Sequence, residues 1–153
     1  MFFNLDLGAK TEPENTKNTF GFINTDLSFY NAIAKSKRLV LKTRINSQIR
    51  IGDDYLFYQA ANIGGNNWLR GFRTERFTGQ NSLFGNADIR YSLKPIKTKT
   101  LPLQFGVFTG FDVGRVWVKN EDSQKWHNSY GGGFWVSAAE SIKGTFNLFN
   151  STE

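Results

Sequence analysis

The chain has 153 residues, enough for one ordinary domain, and a formal net charge of +6. It has no cysteine, which excludes a disulfide framework and a cysteine-ligated metal site. Residues 1 to 30 lack the basic start, apolar middle and small-residue cleavage site of a signal peptide, and no apolar run reaches the roughly 18 residues of a spanning helix. An aromatic share of 16%, many glycines and only 3 prolines suit aromatic-rich strands joined by turns.

Taken in chain order, the segments alternate with a period of two. In residues 2 to 10, Phe3, Leu5, Leu7 and Ala9 oppose Asn4, Asp6, Gly8 and Lys10. A looser strand over 19 to 31 sets Ile23, Leu27 and Phe29 against Asn24, Asp26 and Ser28. The clearest run is 38 to 52, with Leu39, Leu41, Thr43, Ile45, Ser47, Ile49 and Ile51 on one side. Its other side carries Val40, Lys42, Arg44, Asn46, Gln48 and Arg50. Ordinary soluble strands run about 5–6 residues, so a longer one, oily on one side and charged on the other, fits a barrel wall in lipid. In 82 to 93, Ala87, Ile89, Tyr91 and Leu93 oppose Asn86, Asp88, Arg90 and Ser92. In 101 to 118, Leu103, Phe105, Val107, Thr109, Phe111 and Val113 oppose Gln104, Gly106, Phe108, Gly110, Asp112 and Gly114. Segments 130 to 138 and 143 to 151 bring the total to about seven strands.

The connections alternate too. Residues 10 to 18, 53 to 80 and 119 to 129 read as long links, and 32 to 38, 94 to 100 and 138 to 143 as short turns. Long loops at one end and short turns at the other is the layout of an outer-membrane barrel. That parity puts 53 to 80 on the extracellular side. Tyr30, Tyr91, Trp117, Trp126 and Tyr130 fall near strand ends, where interfacial aromatic girdles form. A water-soluble β-sandwich also alternates. The strand lengths, and arginines opposite continuous apolar faces, stand against it. The expected fold is therefore all-β: one domain over 1–153, part of a transmembrane antiparallel barrel, with loop 53–80 folding into the lumen.

A loop beyond about 12–15 residues without secondary structure is usually functional or disordered. Residues 66 to 80, "NNWLRGFRTERFTGQ", combine three arginines with a tryptophan and two phenylalanines, and such aromatic groups seek burial. A cationic loop entering a lumen needs an anionic counterpart. Asp88 and Asp112, on the inward faces of the next two strands, are the candidates.

The stretch "GGNNWLRGFRTERFTG" resembles the sixth extracellular loop of the bacterial surface-antigen superfamily. That superfamily includes BamA, the chloroplast and mitochondrial insertases and the two-partner-secretion transporters. The hallmark tetrad is matched by Leu69, Arg70, Gly71 and Phe72. The acidic and polar pair of the next strand is matched by Asp88 and Arg90, and "GFDVGRVW" supplies Phe111, Asp112, Gly114, Val116 and Trp117. The family pattern sets its phenylalanine two residues before the aspartate; here Phe111 adjoins Asp112. The resemblance covers roughly residues 20 to 153. It implies that Arg70 pairs with Asp112 and Asp88, that Gly71 permits the turn, and that Phe72 anchors the tip. It implies the C-terminal part of a larger outer-membrane barrel, lacking a final closing strand.

The resemblance further implies a bacterial outer-membrane, non-enzymatic barrel without a cofactor. Its implied partners are outer-membrane lipid, nascent outer-membrane protein or secreted polypeptide, the remaining barrel strands, and periplasmic domains or accessory subunits. Two other roles stay open at this point: a membrane anchor for a phosphoesterase or patatin-like lipase encoded upstream, and a passive porin. No nucleophile motif or phosphate-binding glycine loop is present, so no catalytic or metal residue is assigned. Paired catalysis by Asp88 and Asp112 is disfavoured, because an arginine partner keeps both ionised. His127, beside Glu121 and Asp122, reads as a solvated loop residue. The glycines of "YGGGFWV" read as a site of close packing or a bend. Nucleic-acid binding by "FRTERF" is disfavoured, since Lys42, Arg44, Arg50 and Arg90 fall on the expected lumen face.

Overall fold

A computed structural model describes residues 1–12, 15–52, 57–65, 69–96, 102–119, 121, 125–138 and 142–152. Parts of every expected link except 32 to 38 lie outside these residues, as does Trp68 of the opening loop stretch.

Among the described residues there are nine strands: β1 (Phe2–Glu12), β2 (Asn15–Ala32), β3 (Leu39–Ile51), β4 (Ala61–Ile63), β5 (Phe77–Gly79), β6 (Asn81–Ser92), β7 (Leu103–Trp117), β8 (His127–Ala138) and β9 (Ile142–Thr152). Seven of them form one antiparallel sheet in the order β1-β2-β3-β6-β7-β8-β9, and β1 and β9 are its two edges. Strand lengths of 11 to 18 residues match or exceed the roughly 9–11 a tilted strand needs to cross a bilayer.

The two faces differ sharply. On one, Leu7, Ile45, Ile49, Ile89, Val107, Phe111, Phe134 and Leu148 are all exposed. A sheet in water covers such a face with a second layer. Here the apolar side chains point outward, which fits a hydrocarbon solvent and removes the sandwich reading. No described helix is long and apolar enough to cross a membrane. The chain is part of the wall of a transmembrane β-barrel, as an open antiparallel sheet. The other face carries Asn46, Asn86, Asp88, Asp112 and Ser129, all buried, and the loop packs against it.

Three expectations are corrected. The link over 10 to 18 is not long: β1 and β2 stay paired to Glu12–Asn15, past a register shift at Thr11/Glu12. Backbone ladder bonds tolerate polar side chains, so the hairpin runs on beyond its apolar part. The link over 53 to 80 has structure of its own, a 3-10 turn at Phe57–Gln59 and the β4–β5 ribbon, in which Ile63 faces Phe77. Tyr30 does not point into the girdle. It lies on the polar face, its ring 5.9 Å from the Lys42 ammonium. Trp117 and Trp126 do meet on the apolar side, edge to face at 6.4 Å.

Candidate functional site

The β4–β5 ribbon folds the loop down onto β6 and β7. Ile63, Leu69 and Phe84 form a buried cluster, joined by Phe72, Phe77 and Val116. Phe72 and Phe77 pack edge to face at 5.1 Å. Gly114 provides the floor, since a Cβ there would lie 2.7 Å from Ile63 Cδ1. The base of the loop is tied to the sheet. Arg50 donates to the Gln59 carbonyl at 2.8 Å, Gln48 to the Asn62 carbonyl at 3.1 Å, and the Gln80 amide to the Trp117 carbonyl at 2.7 Å.

Beyond Leu69 the chain turns through Gly71 at φ 85°, and Arg70 reaches the sheet. Its backbone amide and Nε both donate to Asp112 Oδ2 at 2.9 Å. Its Nη2 donates to Asp112 Oδ1 at 2.5 Å and to Asp88 Oδ1 at 2.6 Å. This is the two-point geometry that suits a planar guanidinium and that a lysine ammonium cannot copy. Asp112 and Asp88 are 0% and 1% exposed, so each needs its full set of donors. Asn86 completes the set, giving hydrogen bonds to Asp112 Oδ1 at 2.6 Å and Asp88 Oδ1 at 3.1 Å. Arg90 adds one to Asp88 Oδ2 at 3.3 Å. Burial pulls the Arg70 pKa down, but the hydrogen bonds and charges of Asp112 and Asp88 outweigh it, so the net shift is upward. The cation stays fixed at every working pH. Arg73 and Arg76, the other two arginines of the tip, are exposed.

Residues 5–138 match the family model of the haemolysin secretion/activation proteins ShlB/FhaC/HecB. The chain belongs to this family. The ShlB/FhaC/HecB proteins are outer-membrane barrels of polypeptide secretion and activation, and they are not enzymes. No curated protein and no solved structure matches the chain.

In this ShlB/FhaC/HecB chain, then, Leu69, Arg70, Asp88 and Asp112 meet at one place. Gly71 turns the tip and Phe72 packs in the cluster beside it. Phe111 does not join them. It lies on the apolar face, 49% exposed, because its position is odd where Asp112 is even. Trp117 contributes its backbone carbonyl at the loop base, and its ring stands on the apolar face. His127 is not a solvated loop residue. It opens β8, stacked on Phe77 with centroids 3.7 Å apart and edge-on to Phe72 at 6.0 Å. Of its expected neighbours, Glu121 is exposed and Asp122 lies outside the described residues.

Sequence reasoning missed three participants: Asn86, Gly110 and Phe149. Asn86 was legible as an inward residue facing Asp112 across the β6–β7 register. Gly110 was legible as the position where the family pattern has its phenylalanine. Phe149 had no local signal. It lies over the Arg70 guanidinium, the ring centroid 3.9 Å from Cζ, but far along the chain.

Beside the clasp lies a cavity of about 190 Å³, lined by Lys42, Arg44, Arg90, Asn86, Phe108 and Asn147 among others. Arg44 is itself held by Asp26, with Nε to Oδ1 at 2.9 Å and Nη2 to Oδ2 at 2.5 Å.

Proposed function

We propose that this chain forms part of the wall of an outer-membrane barrel that exports a polypeptide, and that loop 53–80 enters its lumen from the extracellular side as a gate. The single observation that carries this reading is the Arg70 clasp on Asp88 and Asp112, on the polar face of a sheet whose other face suits lipid. Leu69, Gly71 and Phe72 position the tip, Asp88 and Asp112 anchor it, and Gly114 and the Trp117 carbonyl support it from β7. The family match supports export over insertion of nascent outer-membrane proteins and over anchoring an upstream enzyme. The partners would be outer-membrane lipid, the remaining strands of the barrel, periplasmic domains or accessory subunits, and a polypeptide passing in extended form.

The test is conductance of the full-length protein in planar lipid bilayers. Wild type should conduct little and briefly, and Arg70→Ala should raise the open fraction and the mean conductance. Identical traces for the two proteins would end the gating role.

A further inference from the structure

One row of register partners crosses five strands on the polar face: Lys42, Asp88, Gly110, Gly131 and Phe149. Neighbouring strands lie about 4.8 Å apart, so the two glycines open a slot between the Asp88 carboxylate and the Phe149 ring. The slot is filled from both ends. Over Gly110 lies the guanidinium, since a Cβ there would come within 2.7 Å of Arg70 Nη2 and would also strike Asp88 Oδ1. Over Gly131 lie the β9 backbone and the root of the aromatic ring, since a Cβ there would strike the Leu148 carbonyl oxygen and stand 2.8 Å from Phe149 Cγ. The carboxylates take the edge of the guanidinium, and the ring covers one of its flat faces. A second contact follows directly in sequence. A Cβ on Gly71 would stand 3.2 Å from the Phe149 carbonyl oxygen and 3.3 Å from the Asn150 carbonyl carbon, so the tip also lies against the β9 backbone.

We infer that Phe149 is a positioning residue of the clasp: it holds the Arg70 guanidinium flat against both carboxylates and ties the loop tip to β9. Loop release and loosening of β9 are then one event. The aromatic group that the family pattern supplies from the strand of Asp112 comes here from β9, and Gly110 vacates the place it would have taken. The ring does more than fill space. A leucine of similar bulk packs in the slot but presents no negative π-face to the cation. The inference rests on contact geometry and stands whether or not the barrel exports a polypeptide.

The test uses the full-length protein in phospholipid vesicles, with a nitroxide spin label on the exposed loop position Arg73→Cys. These 153 residues contain no native cysteine to compete for the label. Phe149→Leu should raise the mobile fraction of the label roughly 3- to 30-fold, the span from an exposed to a desolvated cation–π contact, and Phe149→Trp should hold it at the wild-type level. In an Arg70→Gln background the Leu and Trp variants should give equal spectra, because the cation they act on is gone. A second label at Thr152 should also become more mobile in Arg70→Gln, reporting β9 itself. The positioning role fails if Leu and Trp are equally mobile with Arg70 present, or if the Leu increment survives in Arg70→Gln. The tie to β9 fails if the Thr152 label ignores Arg70→Gln. Should Phe149→Leu not assemble, the Phe149→Trp and Thr152 measurements still decide. A wild-type spectrum for Phe149→Trp together with a loosened Thr152 label supports the inference, and either opposite result overturns it.

Discussion

Replacing Arg70 with alanine removes three side-chain hydrogen bonds to carboxylates and leaves Asp112 and Asp88 facing each other, 0% and 1% exposed. Asn86 and Arg90 still donate to them, but neither offers the missing fork. Breaking one side of a buried ion pair costs about 3–5 kcal/mol, because the other side stays buried without its counter-charge. At about 1.4 kcal/mol per tenfold, that shifts the loop toward its released state by roughly 100- to 4,000-fold. Trypsin reports the released state through cleavage after Arg73 and Arg76. Both side chains are exposed, but the protease must draw the flanking backbone into an extended segment that the clasp holds down. When reclosing is fast, the cleavage rate follows the open population. The Arg70→Ala protein in membrane vesicles should therefore be cut in the loop at least about 100-fold faster than wild type. Arg70→Lys, which keeps the charge and loses the fork, should fall between the two. A change below about threefold in Arg70→Ala would refute the view that this ion pair holds the loop.

Gly110→Val should reproduce the loop release of Arg70→Ala while leaving every charged residue in place, because its Cβ would stand 2.7 Å from Arg70 Nη2; the same trypsin assay reads it. Leu69→Ala, at 0% exposure, should destabilise the loop cluster by about 2–5 kcal/mol, seen as faster cleavage with the ion pair chemically intact. Phe111→Arg should weaken folding into bilayers by about 2–4 kcal/mol if its mid-strand position lies near the bilayer centre, measured by equilibrium folding into vesicles. An equal tolerance of arginine at Phe111 and at the inward position Gln48 would contradict the assignment of faces.

Much of the fold was legible because period-two patterning is local. Ile45 and Ile49 alternate with Asn46 and Gln48, and that alternation assigns the faces before any partner strand is known. The loop tip was harder. Its strands β4 and β5 have 3 residues each, too short for a period to show. The polar ends of β1 and β2 read as loop because apolar side chains mark where a strand meets lipid, and the backbone ladder continues past that mark. The outward turn of Phe111 followed from parity with Asp112, but the resemblance grouped the two residues by motif, and motif adjacency is blind to which side of the pleat a residue takes.

The sequence by itself determined an all-β wall with one apolar and one polar face, and named Arg70, Asp88 and Asp112 as groups of opposite charge. The resemblance already implied that Arg70 pairs with both carboxylates; only the tertiary structure decided how that pairing is built, with Asn86 between them, Gly110 making room and Phe149 covering the face of the guanidinium. The physical reason is range. Strand alternation is dictated by each residue's own backbone and neighbours, whereas the slot over Gly110 and Gly131 exists only once β6, β7, β8 and β9 lie side by side in a fixed register.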